Sequence, residues 1–226
     1  MLQNLIDILA APKAVFAGLK DKPGILLPLL LVTLAVASIQ PGYIYLTDYN
    51  YLIDQMVEQA LNSDPAARES EIRAGLENLS PTILAVSGTV GVLIVVPLIT
   101  VIYAWYLSFI AKFGLQEYGF RHWLSLVSWT SIPTLFVALA AWVVILTSSN
   151  GQVPQSALQP LSIDALLALD PPNTVLQNIS LPQLWSLALC ALGYQYFTGK
   201  SLTHSAIVTL APYVLIFGTW ALVSAL

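Results

Sequence analysis

Charge is scarce in this chain. Asp, Glu, Lys and Arg make up only 9% of its 226 residues, where an ordinary globular domain carries about 25%. A soluble fold of this size would have too little polar surface to stay dispersed, so that class is excluded. Cysteine is nearly absent too. Cys190 stands alone, which excludes an internal disulfide and leaves the redox state of the compartment unread. Eight Lys and Arg are too few for a nucleic-acid footprint, so no nucleic-acid partner is expected. The chain has no HExxH zinc helix, no Ser/His/Asp set and no carboxylate pair within an apolar run. The stretch from Gly193 to Ser201 ends in Gly-Lys-Ser, but bulky aromatics fill the space between its glycines and no strand precedes it, so it is not a phosphate-binding loop. No cofactor and no metal are expected. The first segment also lacks the basic start and apolar core of a secretory signal.

What is present is apolar. Hydrophobic residues make up 57% of the chain and the mean hydropathy is +0.77. The apolar runs are continuous instead of alternating, which selects helices over a membrane barrel. The fold class is therefore all-α and polytopic, with five transmembrane helices in one membrane domain. The spans fall at residues 24–46, 83–111, 123–147, 182–198 and 203–226, close to the ~20 residues a crossing needs. None contains Asp, Glu, Lys or Arg. Intramembrane ionisable residues mark ion pathways and proton relays, so their absence counts against a proton- or sodium-coupled pump. The basic residues set the orientation. Lys13, Lys20 and Lys22 precede the first span, Lys112 and Arg121 lie between the second and third, and Lys200 lies between the fourth and fifth. Arg68 and Arg73 share residues 47–82 with seven acidic residues. Short Lys/Arg-rich loops stay cytoplasmic, which places the N-terminus inside and the C-terminus outside.

The connecting segments carry helical signals of their own. In residues 1–23, Leu2, Leu5, Ile6, Leu9, Val15, Phe16 and Leu19 recur at helical spacing around Pro12, as in an interfacial helix on the inner membrane surface. Gln40-Pro41-Gly42 is expected to distort or end the first span, and Tyr43, Tyr45, Tyr49 and Tyr51 to form an outer aromatic belt. Residues 47–82 predict an external helical hairpin. Leu52, Ile53, Met56, Val57, Ala60 and Leu61 form one stripe, and Asp64-Pro65 reads as the cap and first position of a second helix. That helix carries a Glu69–Arg73 pair and an Ile72, Leu76, Leu79 face. Residues 148–181 predict an external loop with one short helix, Ile163 to Leu169, capped by Ser162 and ended by Asp170-Pro171-Pro172.

Few residues suggest chemistry. Ser128, Ser131, Pro133, Gln195, His204 and Pro212 are candidates for a polar cavity or a helix kink. Packing against a neighbouring helix is the favoured reading of the Ser125, Ser128, Ser131 stripe, and Gln195 either bonds a neighbouring helix or lines an inner vestibule. His122 and His204 stand near inner span ends, where interfacial histidines are ordinary; a metal site would need more ligands. Ser87, Gly88 and Gly91 allow close helix approach. Asn78-Leu-Ser80 and Asn178-Ile-Ser180 match the glycosylation pattern, which a short motif also does by chance. The two inner hairpins share a Gly-basic start and a later proline (Gly119 with Pro133, Gly199 with Pro212), as parallel transporter repeats do; their spacings differ, and chance similarity is the alternative.

An ordered set of short landmarks resembles the Yip family, five-span membrane proteins named for interaction with Ypt/Rab GTPases. The landmarks are Ala11-Pro12-Lys-Ala-Val-Phe16, Lys22-Pro23 and Pro28, then Leu184-Trp185-Ser-Leu-Ala-Leu-Cys-Ala-Leu-Gly193, Thr198-Gly199-Lys-Ser, Ala206 and Pro212-Tyr213. The resemblance covers essentially the whole chain and implies five spans with the same orientation. Eukaryotic members carry a long cytosolic N-terminal region associated with GTPase binding. Here about 23 residues precede the first span, so a Rab-type partner is not expected and a bacterial inner-membrane protein is. The family implies no defined reaction. The expectation is a non-enzymatic protein that organises membrane or binds other membrane proteins, in contact with the lipid bilayer. The alternative is a small carrier, channel or lipid-handling protein with an uncharged pathway.

Overall fold

A computed structural model describes residues 2–64, 66–114, 118–148 and 150–224, the Leu2 side chain excepted. Pro65 and the inner-loop Gln116 lie outside the described residues. The described chain is helical, with no strand beyond an isolated bridge between Ser162 and Ser180. In order the helices are α1 (Leu2–Ala10), α2 (Pro12–Asp21), α3 (Leu26–Ala37), α4 (Ile39–Leu46), α5 (Tyr49–Ser63), α6 (Glu69–Glu77), α7 (Pro81–Lys112), α8 (Phe120–Thr130), α9 (Leu135–Thr147), α10 (Ile163–Leu167), α11 (Thr174–Gln177), α12 (Leu181–Thr198) and α13 (Leu202–Ser224).

Four helical stretches are long and apolar enough to cross a membrane: Leu26–Leu46, Pro81–Lys112, Phe120–Thr147 and Leu202–Ser224. The first joins α3 to α4 through Ser38, and the break falls three residues before Pro41, whose ring cannot sit over a continuous preceding turn. The third joins α8 to α9 through a short 3₁₀ turn, Ile132–Thr134, built on Pro133. The expected fourth crossing corresponds to α12, which is not among the four. Its 18 residues include Gln183, Tyr194, Gln195 and Tyr196, and the physical reason for this tolerance is its position. α12 packs against α2, α8 and α13, so much of its surface meets protein instead of hydrocarbon and need not be uniformly apolar. Its ends are well specified. Ser180 and Gln183 form a reciprocal capping box at one end, and Gly199, in the left-handed region at φ 67°, closes the other.

Two hydrophobic clusters stack along the bundle. The larger, at the basic end, joins Ile8, Val15, Phe16 and Leu19 of α1 and α2 to Leu107, Trp123, Leu126, Leu189 and Tyr194. Val15, Phe16 and Leu19 of the N-terminal stripe therefore pack on protein, with Phe16 fully buried, while Ile6 stays exposed. Pro12 opens α2 as a separate helix folded back on α1. The smaller cluster, at the acidic end, joins Tyr43, Ile44, Leu52, Ala85, Ile145 and Val153. It draws nothing from α12 or α13, and length explains why. From the level of Cys190, α12 extends nine residues to Leu181, about 14 Å. From the facing Tyr103, α7 extends 22 residues to Pro81, about 33 Å.

The α5–α6 hairpin caps the smaller cluster. Asp48 caps α5 by accepting from the Asn50 and Tyr51 amides, and Leu52, Ile53 and Val57 are buried. Arg73 pairs with Asp54 at 2.8 Å and Glu69 at 3.6 Å; the hydrogen bond to Asp54 raises its pKa above the ordinary guanidinium value. The second helix does not start at Asp64. That residue closes α5, its carboxylate accepts from the Ala66 amide at 3.1 Å, and α6 begins only at Glu69. Nor is the tyrosine set a uniform interfacial belt. Tyr43 is buried and donates to the Val153 carbonyl at 2.9 Å, while Tyr49 donates to the Leu79 carbonyl. Ser162 does cap a short helix, but α10 ends at Leu167, with Ala168 left-handed at φ 49°. The helix thus ends before the prolines, and the buried Asp164 carboxylate accepts from the Asn173 amide just beyond them at 2.6 Å.

Candidate functional site

Pro212 sits inside α13 and has no N–H to give the carbonyl four residues back. That carbonyl belongs to Val208, and in an apolar interior an unpaired carbonyl is costly. The neighbouring α7 supplies the donor. Tyr106 donates its hydroxyl to Val208 O at 3.0 Å, and Tyr103, three residues earlier on the same face, donates to Thr209 O at 2.8 Å. Cys190 of α12 places Sγ 3.6 Å from the Tyr103 hydroxyl. Tyr213 meets the Tyr103 ring edge-on, with centroids 5.6 Å apart. Three helices thus converge on one broken turn. Beside it lies a cavity of about 630 Å³ between α7 and α13, lined by Ile99, Tyr106, Gln183, Pro212 and Phe217 among others.

The serine stripe of α8 divides its work. Ser128 and Ser131 donate to carbonyls of their own helix, Leu124 and Ser128 respectively, at 2.7 and 2.8 Å. Ser125 instead reaches across to the Gly24 carbonyl at 2.8 Å, where the Trp129 indole N–H also donates at 2.9 Å. These bonds fix the start of the first long apolar stretch. Pro133 is fully buried in the 3₁₀ turn that follows.

The remaining candidates line an aromatic collar at the basic end. Trp123, Tyr194 and Phe197 form its inner part, with Trp123 centred 5.3 Å from Tyr194 and 5.6 Å from Phe197. The Lys20 ammonium lies 4.6 Å from the Tyr196 ring centroid, 5.3 Å from Tyr118 and 5.8 Å from Phe197, a three-ring cation–π cage. His122 rests against Tyr118 and exposed His204 against Tyr194, so the two histidines occupy different parts of the collar. The His122 Nδ1 is buried without a partner. Among the described residues no three His, Cys, Asp or Glu come together. Gln195 lines a groove of about 680 Å³ with Lys13 and Tyr196. The structure therefore brings Pro212 into a polar contact layer, separates it from Pro133, and leaves Gln195 and His204 at the rim.

Tyr103 and Tyr106 belong to no motif of their own. The signal that finds them is the proline itself: a proline inside a membrane helix leaves a carbonyl that needs a donor at its own depth, and two tyrosines one turn apart on a neighbouring span provide it. Asn78 and Asn178, read as glycosylation acceptors, donate instead to Ala74 O and Thr174 O, while Ser80 and Ser180 cap α7 and α12. The shared pattern is a helix-end pattern.

A helical bundle with long apolar helices, one carrying a proline whose freed carbonyl is met by a neighbouring hydroxyl, defines an integral membrane protein. The family model for the Yip1 domain matches residues 6–224, and the chain belongs to the Yip family. No curated protein and no solved structure matches it.

Proposed function

We propose that this chain is a non-enzymatic Yip-family protein of a bacterial inner membrane that binds other membrane proteins through its lipid-facing helices. In this reading α12 is a fifth crossing, the basic segments face the cytoplasm, and the α5–α6 hairpin and the C-terminus face outward. The observation that carries the reading is the bareness of two long helices. Only 11% of the membrane-length window is buried in Pro81–Lys112 and in Leu202–Ser224, against 33% in the other two candidate spans. Ile94, Trp105, Val214, Leu215 and Leu222 are all more than half exposed. Lipid satisfies such surface as well as protein does, so a partner helix would be held there by shape and not by hydrophobic gain. The uncharged spans and the enclosed hydroxyls bonded to backbone carbonyls support a scaffold more than a coupled pump.

The test joins reconstitution to site-specific crosslinking. Photo-crosslinking side chains placed at Ile94 and Leu215 should capture one partner at fixed stoichiometry, and liposomes holding the purified protein should remain inert to solutes and lipid flip-flop. Selective transport by those liposomes, abolished by Pro212→Ala, would instead establish the second reading, a lipid-handling or small-solute carrier. One observation favours that alternative: the crevice beside Pro212 opens between two helices that touch little along their length. Orientation has its own test. Cysteines at Ser70 and Ser156, both exposed, should label from outside intact cells and one at Gln116 should not; native Cys190 is buried and silent.

A further inference from the structure

The basic residues at the inner end do not all have the same environment. Lys20 is held by three rings. Lys22 and Arg121, by contrast, are exposed and face one cavity of about 580 Å³ formed by α2, the turn into α3 and α8. Among the described residues the ion pairs are those of Arg68 and Arg73, so neither Lys22 nor Arg121 is paired. Asp21 also lines the cavity without bridging to either, which leaves one net positive charge. The rest of the lining is largely apolar: Leu19, Pro23 and Trp129. This floor is fixed, since Trp129 is 2% exposed and its indole N–H is bonded to the Gly24 carbonyl, which Ser125 also holds.

We propose that this cavity binds the phosphate headgroup of an anionic membrane phospholipid. Lys22 and Arg121 supply the counter-charge at its mouth, and Leu19, Pro23 and Trp129 contact the glycerol and the first methylenes. The composition selects a lipid over free phosphate. A small hydrated anion gains nothing from an apolar floor, whereas a phosphodiester on a lipid stem matches both halves of the cavity. The position agrees, because the cavity lies at the start of the Leu26–Leu46 apolar stretch, where headgroups meet the spans. The site is independent of whether α7 and α13 bind a partner.

Native mass spectrometry of the full chain in mild detergent tests it, with phosphatidylglycerol and phosphatidylcholine of identical acyl chains. Phosphatidylglycerol should be retained about fivefold better, the size of one net charge near a membrane surface. The double variant Lys22→Gln/Arg121→Gln should lose that preference with unchanged helicity. Lys22→Arg/Arg121→Lys should keep it, and so should Lys13→Gln/Lys112→Gln, which removes equal charge elsewhere at the same end. Equal retention of both lipids by the native chain would overturn the proposal. So would loss of preference in the Lys13/Lys112 variant, which would mark a diffuse charge effect. Displacement of the lipid by excess inorganic phosphate would assign the cavity to a free anion instead.

Discussion

The two ends of the bundle solve opposite problems. At the basic end, α1, α2, α8, α12 and the first half of α13 enclose one another, and even the Val208 carbonyl freed by Pro212 finds a hydroxyl partner. At the acidic end, α12 stops early, and the far half of α13 and one side of α7 have few protein neighbours. Hydrophobicity does not distinguish them, since in lipid an apolar side chain gains nothing by changing neighbours. What distinguishes them is shape and polar pairing. Small residues and hydroxyls occur where helices touch closely, and large aliphatic residues cover the bare faces. The basic end is thus the rigid half, and the exposed helices of the other half are the surface left for contact.

Glycine substitutions should break this comparison most sharply. A Cβ on Gly193 would lie 2.3 Å from Leu126 Cδ1 and 3.2 Å from the Phe16 ring, both fully buried and unable to yield. Gly193→Ala should cost about 2 kcal/mol in a detergent-unfolding titration, in the range of overpacked cores. At Gly88, toward the acidic end, the nearest atoms would be those of the flexible Gln40 side chain, at 2.5 to 2.8 Å. Gly88→Ala should therefore cost well under about 1 kcal/mol, its higher helix propensity offsetting the contact. Equal costs at both positions would erase the difference in rigidity.

Tyr106→Phe is the next largest change. It removes the donor to Val208 O and should cost about 1 kcal/mol by the same titration, typical of an interhelical hydrogen bond in a membrane. Arg73→Gln removes exposed ion pairs of the α5–α6 hairpin and should lower stability only slightly, a difference that high salt abolishes. Smallest of all, Ile94→Ser and Leu215→Ser should leave helicity and unfolding in detergent within about 0.5 kcal/mol, while lowering partner crosslinking.

How much of this was legible beforehand depends on how local the cause is. Signals set by near neighbours read correctly: Ser162 caps a helix, Glu69 pairs with Arg73, and Pro41 lies just past a helix break. Family membership was legible too, because an ordered set of short motifs survives where no single motif is specific. Asp64-Pro65 misled because the Asp64 carboxylate does accept from the Ala66 amide as a cap would, yet the next helix begins only at Glu69. The tyrosine belt misled because burial depends on what stands opposite, and Tyr43 faces a loop more than 100 residues away. The same limit hid the layer at Pro212. Its need for donors is written in α13, but the register that brings Tyr103 and Tyr106 to that depth comes from packing between α7, α12 and α13. The apolar run at 182–198 reads as a crossing, yet α12 falls short of the four long apolar stretches, since a helix packed on three neighbours has less need of a uniformly lipid-compatible surface.

The account rests most heavily on the claim that α7 holds the broken turn of α13 through those tyrosines. A double-mutant cycle between Tyr106→Phe and Pro212→Ala measures it directly in the detergent-unfolding titration. Alanine at 212 restores an N–H for the Val208 carbonyl, so Tyr106→Phe should then cost nearly nothing, and the two changes should be coupled by about 1 kcal/mol. Strictly additive effects, with Tyr106→Phe equally costly in both backgrounds, would contradict the claim.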